Sequence, residues 1–289
     1  MNLPKQIRAR QIAESDIPAV VDLLTRGFKV HPPRFWQDAF SNLTNHPTPN
    51  GLPKYGYLLE SDGAIVGAIL LIFSQFPRGN TTAIRCNLSS WYVEPAFRGY
   101  GSLLASKALS WKNVTYLNVS PAMDTLPLLR VQGYSQYSQG VFFAAPALQF
   151  RFYSARVTVA NPDSKPSAPF EPFEHALLTE HSKYGCLSLW CTTAERAYPF
   201  VFRPRLHKGA IPYAQMIYCR DIGDFVRLAA PLGCFLIRRG WALVMIDANG
   251  PIPRLFGQYR QPRQPKYFKG PDRPRLGDLA YTEVAMFGL

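Results

Sequence analysis

The first 74 residues contain two patterns of apolar and polar positions. The stretch "IRARQIA" alternates as a strand does, and "ESDIPAVVDLLTRGF" places apolar residues at helical spacing. Asp16 would cap that helix, with Pro18 in its first turn. A second helix is predicted over about 32–45, and "YGYLLESDGAIVGAILLIFS" predicts two strands joined at Ser-Asp-Gly.

The next segment predicts a strand, a turn, a helix and another strand. The first strand covers 84–93, the helix about 101–111, and the second strand, "VTYLNVS", covers 114–120. A short helix near 124–132 would end at Gly133, which can adopt the backbone conformation of a C-cap. The stretch "QGVFFAAPAL" is predicted as the last strand of this half.

Residues 160–175, "ANPDSKPSAPFEPFEH", interrupt the pattern with four prolines and no period, as a linker or an edge loop would. Beyond them the order of elements begins again, with a predicted helix "DIGDFVRLAAPLGCFLIRRG" and a closing strand "YTEVAMF". The strands predicted before that closing strand are "GCLSLWCTT", "YPFVFRPR", "IPYAQMIYC" and "WALVMIDA". The sequence therefore predicts two similar domains in tandem, 1–150 and 176–289, joined by a Pro-rich linker at 151–175.

The composition is that of a globular protein, with 289 residues and 47% apolar content. The longest apolar run, "AIVGAILLIF", is too short to span a bilayer, and the N-terminus lacks the apolar segment of a signal peptide. We therefore expect a cytoplasmic protein. Its five scattered cysteines have no metal-site spacing, so we expect them to be reduced and mostly buried.

A net charge of +13 implies an anionic partner or substrate. Much of the excess lies in 251–275, which holds seven basic residues and one acid. Its basic and aromatic residues could grip single-stranded nucleic acid. They could equally line a cleft for a phosphorylated or sugar-nucleotide acceptor, or form a solvated basic loop, and the three interpretations stay open.

The stretch "PAFRGYGSL" (95–103) places an arginine and two glycines where a strand should turn into a helix. A tight turn would account for the glycines, because glycine adopts backbone angles that other residues resist. The first amides of a helix also make an anion site, which the arginine would strengthen. Pyrophosphate is the obvious anion, although the stretch matches neither the Walker P-loop nor the G-x-G-x-x-G dinucleotide motif.

The passage "WYVEPAFRGYGSLLASKAL" resembles motif A of the GNAT (Gcn5-related N-acetyltransferase) superfamily, written V-x-P-x-x-R-G-x-G. The passage "LLRVQGYSQY" is similar to the end of the family's second motif, and the resemblance covers roughly 5–150. It implies an α/β fold whose sheet is mixed, with parallel and antiparallel strands, as in the α+β class. It also implies acyl-CoA as cosubstrate and a tandem member whose second half is degenerate.

The resemblance also assigns cofactor-binding residues. The backbone of Trp91 and Val93 would bond the pantetheine arm, and the thioester would point between that strand and "VTYLNVS". The resemblance implies that the CoA pyrophosphate would lie against the amides around five residues, Arg98, Gly99, Tyr100, Gly101 and Ser102.

Four polar residues are candidates for orienting the substrate. Asn87 and Ser89 share one face of an alternating strand with Trp91. Asn118 and Ser120 lie at the end of the neighbouring strand. Ordinary polar residues that satisfy sheet edges are an equally open interpretation of all four.

The resemblance thus implies an acyltransferase that moves an acetyl or longer acyl group to the amine of a small, anionic or sugar-type acceptor. The amine would attack the thioester directly, with no metal and no covalent enzyme intermediate. Many members of the family carry a tyrosine acid where this chain has Leu129, and some keep a glutamate base where it has Asn87. A non-catalytic acyl-CoA-binding or regulatory module therefore stays an alternative, as does a nucleic-acid-binding protein. The sequence leaves the acceptor, the acyl chain length and the oligomeric state undetermined, and an acceptor hydroxyl also stays open.

Overall fold

A computed structural model describes residues 6–149, 153–207, 209–261 and 263–289. The chain divides into two compact units. Unit 1 comprises residues up to 118 together with 268–273, and unit 2 comprises 119–267 and 274–289. The division therefore falls before the predicted boundary at residue 150.

Unit 1 begins with a strand, two helices and a three-stranded antiparallel run, followed by a helix and a further strand. The strands are β1 (Ile7–Gln11), β2 (Gly56–Ser61), β3 (Ala64–Arg78), β4 (Thr81–Val93) and β5 (Val114–Asn118). The helices are α1 (Ile17–Gly27), α2 (Pro33–Asn45) and α3 (Gly101–Ala108). A 3-10 helix over Pro95–Tyr100 runs directly into α3.

The chain continues with nine further strands and five further helices in the part that the structure describes. The strands are β6 (Ser135–Ser138), β7 (Gly140–Ala144), β8 (Arg156–Val159), β9 (Leu187–Thr192), β10 (Ala197–His207), β11 (Ile211–Cys219), β12 (Val244–Ala248), β13 (Gly257–Arg260) and β14 (Lys266–Lys269). The helices are α4 (Leu126–Val131), α5 (Pro172–Lys183), α6 (Ile222–Arg227), α7 (Ala229–Ile237) and α8 (Glu283–Met286).

The described strands form two seven-stranded mixed sheets with matching orders. Sheet 1 runs β1-β2-β3-β4-β5-β14-β6, and sheet 2, taken from its other end, runs β8-β9-β10-β11-β12-β7-β13. In sheet 1 the strands β4 and β5 are parallel, and in sheet 2 so are β11 and β12. The two orders are the same once β7 and β14 are exchanged. This confirms the predicted tandem of two similar mixed α/β folds.

The local patterns explain most elements of unit 1. Asp62 and Gly63, both with positive φ, form the predicted hairpin turn between β2 and β3. Helix α1 buries its apolar stripe, including Val20 and Leu24, as its spacing predicts. Asp16 does not cap that helix with its side chain. Its carboxylate instead accepts from the Ala13 amide and from the Arg10 guanidinium.

Several predicted elements differ from the structure. Helix α3 ends at Ala108, three residues before the predicted end at 111. Strand β7, predicted to close the first domain, pairs with β12 and β13 in sheet 2. Strand β8 lies within the predicted linker, where it pairs with β9. The basic stretch at 251–275 contains β13 and β14, so it is not wholly a solvated loop.

The predicted closing strand "YTEVAMF" is mostly helix α8. Ala285 and Met286 both donate their amides to the carbonyl of Thr282, so the chain turns there instead of extending. Every residue from 279 to 287 is buried. A short run that is buried throughout has no period that separates a strand from a helix, which explains the wrong prediction.

In the part of the chain that the structure describes, no helix has the length and apolar character needed to cross a bilayer. All five cysteines are free thiols, four of them buried, and Cys234 is exposed. The prediction of reduced, mostly buried cysteines is confirmed for these residues.

The buried His46 should make stability depend on acidity. Its Nε2–H donates to the Phe73 carbonyl at 2.7 Å, and burial lowers its pKa from 6.5 to about 4. The unfolded chain therefore binds more protons than the folded one between these values. We expect the free energy of unfolding to fall by about 3 kcal/mol as the pH drops from 6.5 to about 4. Urea titrations across this range measure it, and a His46→Gln variant should lose this part of the slope.

Candidate functional site

The parallel strands β4 and β5 separate part of the way along. They pair over 84–87 and 114–117, after which β5 ends at Asn118 while β4 continues to Val93. Among the described residues, no strand pairs with β4 beyond Asn87 on the side that β5 leaves. The backbone groups on this edge of β4 are therefore available to a ligand that runs along it.

A β-bulge lies in the separated part of β4. Leu70 on β3 pairs with Ser89, but Ala68, two positions earlier, pairs with Tyr92, three positions later. Ser90 accordingly has a φ of 51°, a conformation uncommon for residues other than glycine. An inserted residue of this kind shifts the alternation of side chains and re-aims them, and bulges are frequent beside functional sites.

The bulge changes which residues share a face of β4. Tyr92 packs its ring against Gly27 of α1, whereas Trp91 lies 3.6 Å from the Cβ position of Gly101 at the start of α3. Since Tyr92 and Trp91 point to opposite faces, α1 and α3 cover opposite faces of sheet 1. The prediction that Trp91 shares a face with Asn87 is therefore wrong, and Tyr92 takes that place because the extra residue reverses the alternation.

The two glycines of "PAFRGYGSL" are not explained by a tight turn. Neither Gly99 nor Gly101 has a positive φ, and Gly101 is helical at φ −56° and ψ −30°. A Cβ added at Gly99 would meet no atom within 4 Å, and one at Gly101 would make only an ordinary contact. The backbone here is accessible without being strained or crowded, so the turn interpretation fails.

The surroundings of this helix terminus favour an anion. Helix α3 has no acidic residue in its first turn, and its N-cap residue, Tyr100, makes no side-chain cap hydrogen bond. Arg98 is exposed, while the nearest acid along the chain, Glu94, is paired with Arg26 at 2.9 Å. The Gly101 amide donates to the Arg98 carbonyl, and the 3-10 helix over Pro95–Tyr100 directs amides before Gly101 to carbonyls three residues earlier, so part of the predicted set is engaged within the chain.

The sequence candidates on β4 are buried. Asn87 is 1% exposed and donates from Nδ2 to the Leu88 carbonyl at 3.5 Å. The Ser89 hydroxyl lies 3.0 Å from that of Ser90, at the bulge. The neighbouring Cys86 is also buried, and burial raises the pKa of its thiol well above the ordinary value. Cys86 is therefore protonated at neutral pH and is no thiolate nucleophile.

The candidates on and after β5 have different surroundings. Asn118 is the last, half-buried residue of β5 in unit 1. Ser120, in unit 2, donates from Oγ to Glu283 Oε1 at 2.5 Å, and Glu283 is 1% exposed. A cavity of about 370 Å³ in unit 2 is bounded in part by Ser120, Arg205 and Lys266. Sequence reasoning missed Glu283, whose only signal is an acid inside the apolar run "YTEVAMF".

Solved structures that superpose on the chain include two bacterial acetyltransferases. A GCN5-related N-acetyltransferase from Anabaena variabilis gives a TM-score of 0.60 at 11% identity, over 91% of this chain and 72% of that chain. A GCN5-related N-acetyltransferase from Kribbella flavida gives a TM-score of 0.57 at 16% identity, over 91% of this chain and 71% of that chain. The glucosamine N-acetyltransferase region of a fungal multi-domain β-N-acetylglucosaminidase gives a TM-score of 0.56 at 12% identity, over 92% of this chain and 38% of that chain.

No protein-family model matches the sequence, and no curated protein matches it either. The structural likeness, at 11% to 16% identity, concerns the fold. Both sheets share the mixed order with one separated parallel pair, and the superpositions extend over nearly the whole chain. The chain thus has the fold of the GCN5-related N-acetyltransferases in two tandem copies.

Proposed function

We propose that this protein is an acyltransferase that moves an acetyl or longer acyl group from acyl-CoA to an amine. The accessible, unstrained glycine backbone at Gly99 carries the proposal. A chain gains nothing in folding from a glycine in a helical conformation, where glycine costs about 1 kcal/mol relative to alanine. Close approach of a ligand to the backbone is the explanation that remains.

The residues of unit 1 suit the two parts of CoA that need binding. The start of α3 supplies helix-dipole charge and amides for the pyrophosphate, and the exposed Arg98 guanidinium adds a fixed positive charge. The backbone of Trp91 and Val93, on the edge of β4 that β5 leaves, would pair with the amide groups of pantetheine. Tyr100 and Ser102 belong to the same proposed site.

The chemistry we propose is direct attack of the neutral acceptor amine on the thioester carbonyl. A C–N bond forms as the C–S bond breaks, one proton leaves the nitrogen, and the CoA thiolate takes up one proton. The ordinary pKa of a thiol, about 8.5, makes CoA a fair leaving group. Positioning of the two reactants can supply much of the acceleration. Asn87, Ser89 and Asn118 are proposed to orient them.

Ser120 is a further candidate for orienting the substrate. Its hydroxyl donates to the buried Glu283 carboxylate, so the lone pairs on its oxygen are free to accept from another donor. Ser120 also follows the end of β5 by two residues. The bond to Glu283 fixes the direction of the Ser120 hydroxyl, and we propose that this hydroxyl orients substrate.

For the acceptor we propose a small amine of sugar type or one that carries negative charge. One superposing structure is described as a glucosamine N-acetyltransferase region, which supports an amino sugar. The net charge of +13 supports an anionic group on the acceptor as well as on CoA.

Release of free thiol from acetyl-CoA in the presence of a panel of amino sugars and phosphorylated amines tests the proposal. We expect thiol release that depends on one class of amine. Binding of acetyl-CoA without thiol release from any amine would favour the non-catalytic alternative. Binding of nucleic acid that weakens steeply with salt, without binding of acetyl-CoA, would favour the nucleic-acid alternative.

A Ser120→Ala variant should lower kcat by about tenfold, because a hydroxyl that orients the substrate is lost. The KM for acetyl-CoA should stay within about twofold, since Ser120 is not proposed to bind CoA. Ser120→Thr keeps the hydroxyl and should retain most of the activity, and Ser106→Ala, on the outer surface of α3, should be silent. A kcat unchanged in Ser120→Ala would remove Ser120 from the mechanism.

A further inference from the structure

Unit 2 repeats the arrangement that forms the candidate site in unit 1. By sheet order, β11 corresponds to β4, β12 to β5, and α6 to the helix that follows β4. Strands β11 and β12 pair in parallel only at Ala214 with Val244 and Gln215 with Met245, and then separate. Unit 2 therefore has its own gap between two parallel strands, at the position that corresponds to the proposed pantetheine groove.

The chain itself fills this second gap. The Cys219 amide donates to the Gly277 carbonyl at 2.9 Å, and the Leu279 amide donates to the Ile217 carbonyl at 2.7 Å. Tyr218 and Asp278 form an antiparallel bridge between these two hydrogen bonds. Residues 277–279, called the inserted segment below, thus add to the edge of β11 that β12 leaves, as a bound peptide adds to a sheet edge.

Close packing and buried charge hold the inserted segment in place. Gly277 has a φ of 76°, and a Cβ there would lie 2.7 Å from the Cys219 sulfur, so only glycine fits. Asp278 is 2% exposed and forms an ion pair with Arg275 at 3.4 Å. Arg275 also donates to the Cys219 carbonyl at 2.6 Å and lies over the Tyr218 ring, 5.0 Å from its centroid.

The helix terminus of unit 2 is also occupied from within. Asp221 is the N-cap of α6, and its carboxylate accepts from the Gly223 amide at 2.5 Å. A second acid, Asp224, lies in the first turn of the same helix. In unit 1 the corresponding terminus, at Tyr100, has neither a side-chain cap nor an acid in its first turn. A phosphate at α6 would meet two carboxylates where unit 1 offers amides and an arginine.

We infer that unit 2 is a self-occupied copy of the acyl-CoA-binding fold, in which the chain's own residues fill the places of the ligand. The Asp221 carboxylate holds the place of a pyrophosphate, and the inserted segment holds the place of pantetheine. One chain therefore binds one acyl-CoA, in unit 1. The stoichiometry rests on the proposed function, whereas the occupancy of unit 2 by its own chain does not.

Hydrogen exchange of the protein without ligand tests the occupancy alone. We expect the amides of Cys219 and Leu279 to exchange as slowly as those of the core strands β9 and β10, and a Gly277→Ala variant to speed their exchange at least tenfold. Rapid exchange at both amides in the wild-type protein would overturn the inference, whatever the protein binds.

Equilibrium dialysis with acetyl-CoA tests the stoichiometry. We expect one acetyl-CoA per chain for the wild type, none for Gly99→Glu, and one with unchanged Kd for Asp221→Asn, which keeps the cap and removes the charge. Added acetyl-CoA should slow exchange in peptides covering 88–103 and leave those covering 216–220 unchanged. Two sites per chain, or one site left in Gly99→Glu, would overturn the inference. No binding by the wild type would refute the proposed function, while slow ligand-free exchange at Cys219 and Leu279 would still support the self-occupied unit 2.

Discussion

A Gly99→Glu variant is expected to bind acetyl-CoA at least about 100-fold more weakly than the wild type. The open space at the Gly99 Cβ position would then hold a carboxylate beside the bound pyrophosphate. Like charges about 4 Å apart repel by several kcal/mol where water is partly excluded, and the side chain also blocks the approach of the phosphates. Isothermal titration calorimetry at matched salt measures the loss of affinity.

Two control variants separate the effect of the site from that of charge and folding. Gly99→Ala should fold at least as stably as the wild type, because a methyl group meets no atom of the chain there and alanine is the better helix former. It should bind acetyl-CoA more weakly than the wild type and more tightly than Gly99→Glu, because its methyl group hinders close approach of the phosphates without adding charge. Ser106→Glu places the same charge on an exposed position of α3 away from the loop, and should bind normally. A Gly99→Glu variant that binds as tightly as Ser106→Glu would refute the pyrophosphate site.

A Lys266→Ala variant is expected to lose about 4 kcal/mol of unfolding free energy at neutral pH. Lys266 and Asp247 are 1% and 5% exposed, and their charged atoms lie 2.8 Å apart. The Lys266 ammonium also donates to the Gln264 carbonyl at 3.2 Å. Removal of the lysine leaves the Asp247 carboxylate buried without its partner, and such an uncompensated charge is costly. Urea unfolding followed by tryptophan fluorescence measures the change.

The loss of unfolding free energy in Lys266→Ala should be smaller at acidic pH. Burial already raises the pKa of Asp247, with Lys266 opposing that shift, so without the lysine the carboxyl protonates more readily. The deficit of Lys266→Ala should therefore shrink as the pH falls from 7 to 5. The double variant Lys266→Met with Asp247→Val replaces the pair with apolar groups and should regain most of the stability. Equal losses in the single and double variants would show that volume, not charge, determines the effect.

The elements of unit 1 follow from local patterns in the sequence. Asp62 and Gly63 predict the β2–β3 turn because both tolerate positive φ. The spacing of Val20 and Leu24 predicts α1, and the helical spacing of apolar residues after "PAFRGYG" predicts α3. The candidate anion site was also predictable, because its glycines and arginine are adjacent along the chain.

Features that depend on pairing between distant residues were not predictable. The bulge at Ser90 arises where β3 and β4 change register, and nothing in "NLSSWYV" marks it. The exchange of β7 and β14 between the two sheets is a matter of which strands pair, and neither strand's own residues specify the sheet that it joins.

The same limit applies to the ionisable groups. Lys266 belongs to a basic stretch that suggested a solvated loop or a nucleic-acid contact, yet it is buried against Asp247 on another strand. The hydrogen bond between Ser120 and Glu283 joins residues 163 positions apart. Local pattern cannot report such partners, because the two residues become neighbours only when the sheets form.

The most direct test of the account compares two acyl donors on the wild-type protein. Calorimetric titrations with acetyl-CoA and with S-acetyl-pantetheine, which lacks the pyrophosphate and nucleotide, should give saturable binding of acetyl-CoA at one site per chain. Acetyl-CoA should bind at least about 100-fold more tightly than S-acetyl-pantetheine. This ratio of affinities should fall as the salt concentration is raised, because salt screens the charge of the pyrophosphate. No binding of acetyl-CoA, or equal binding of both compounds, would contradict the assignment of "PAFRGYGSL" to pyrophosphate.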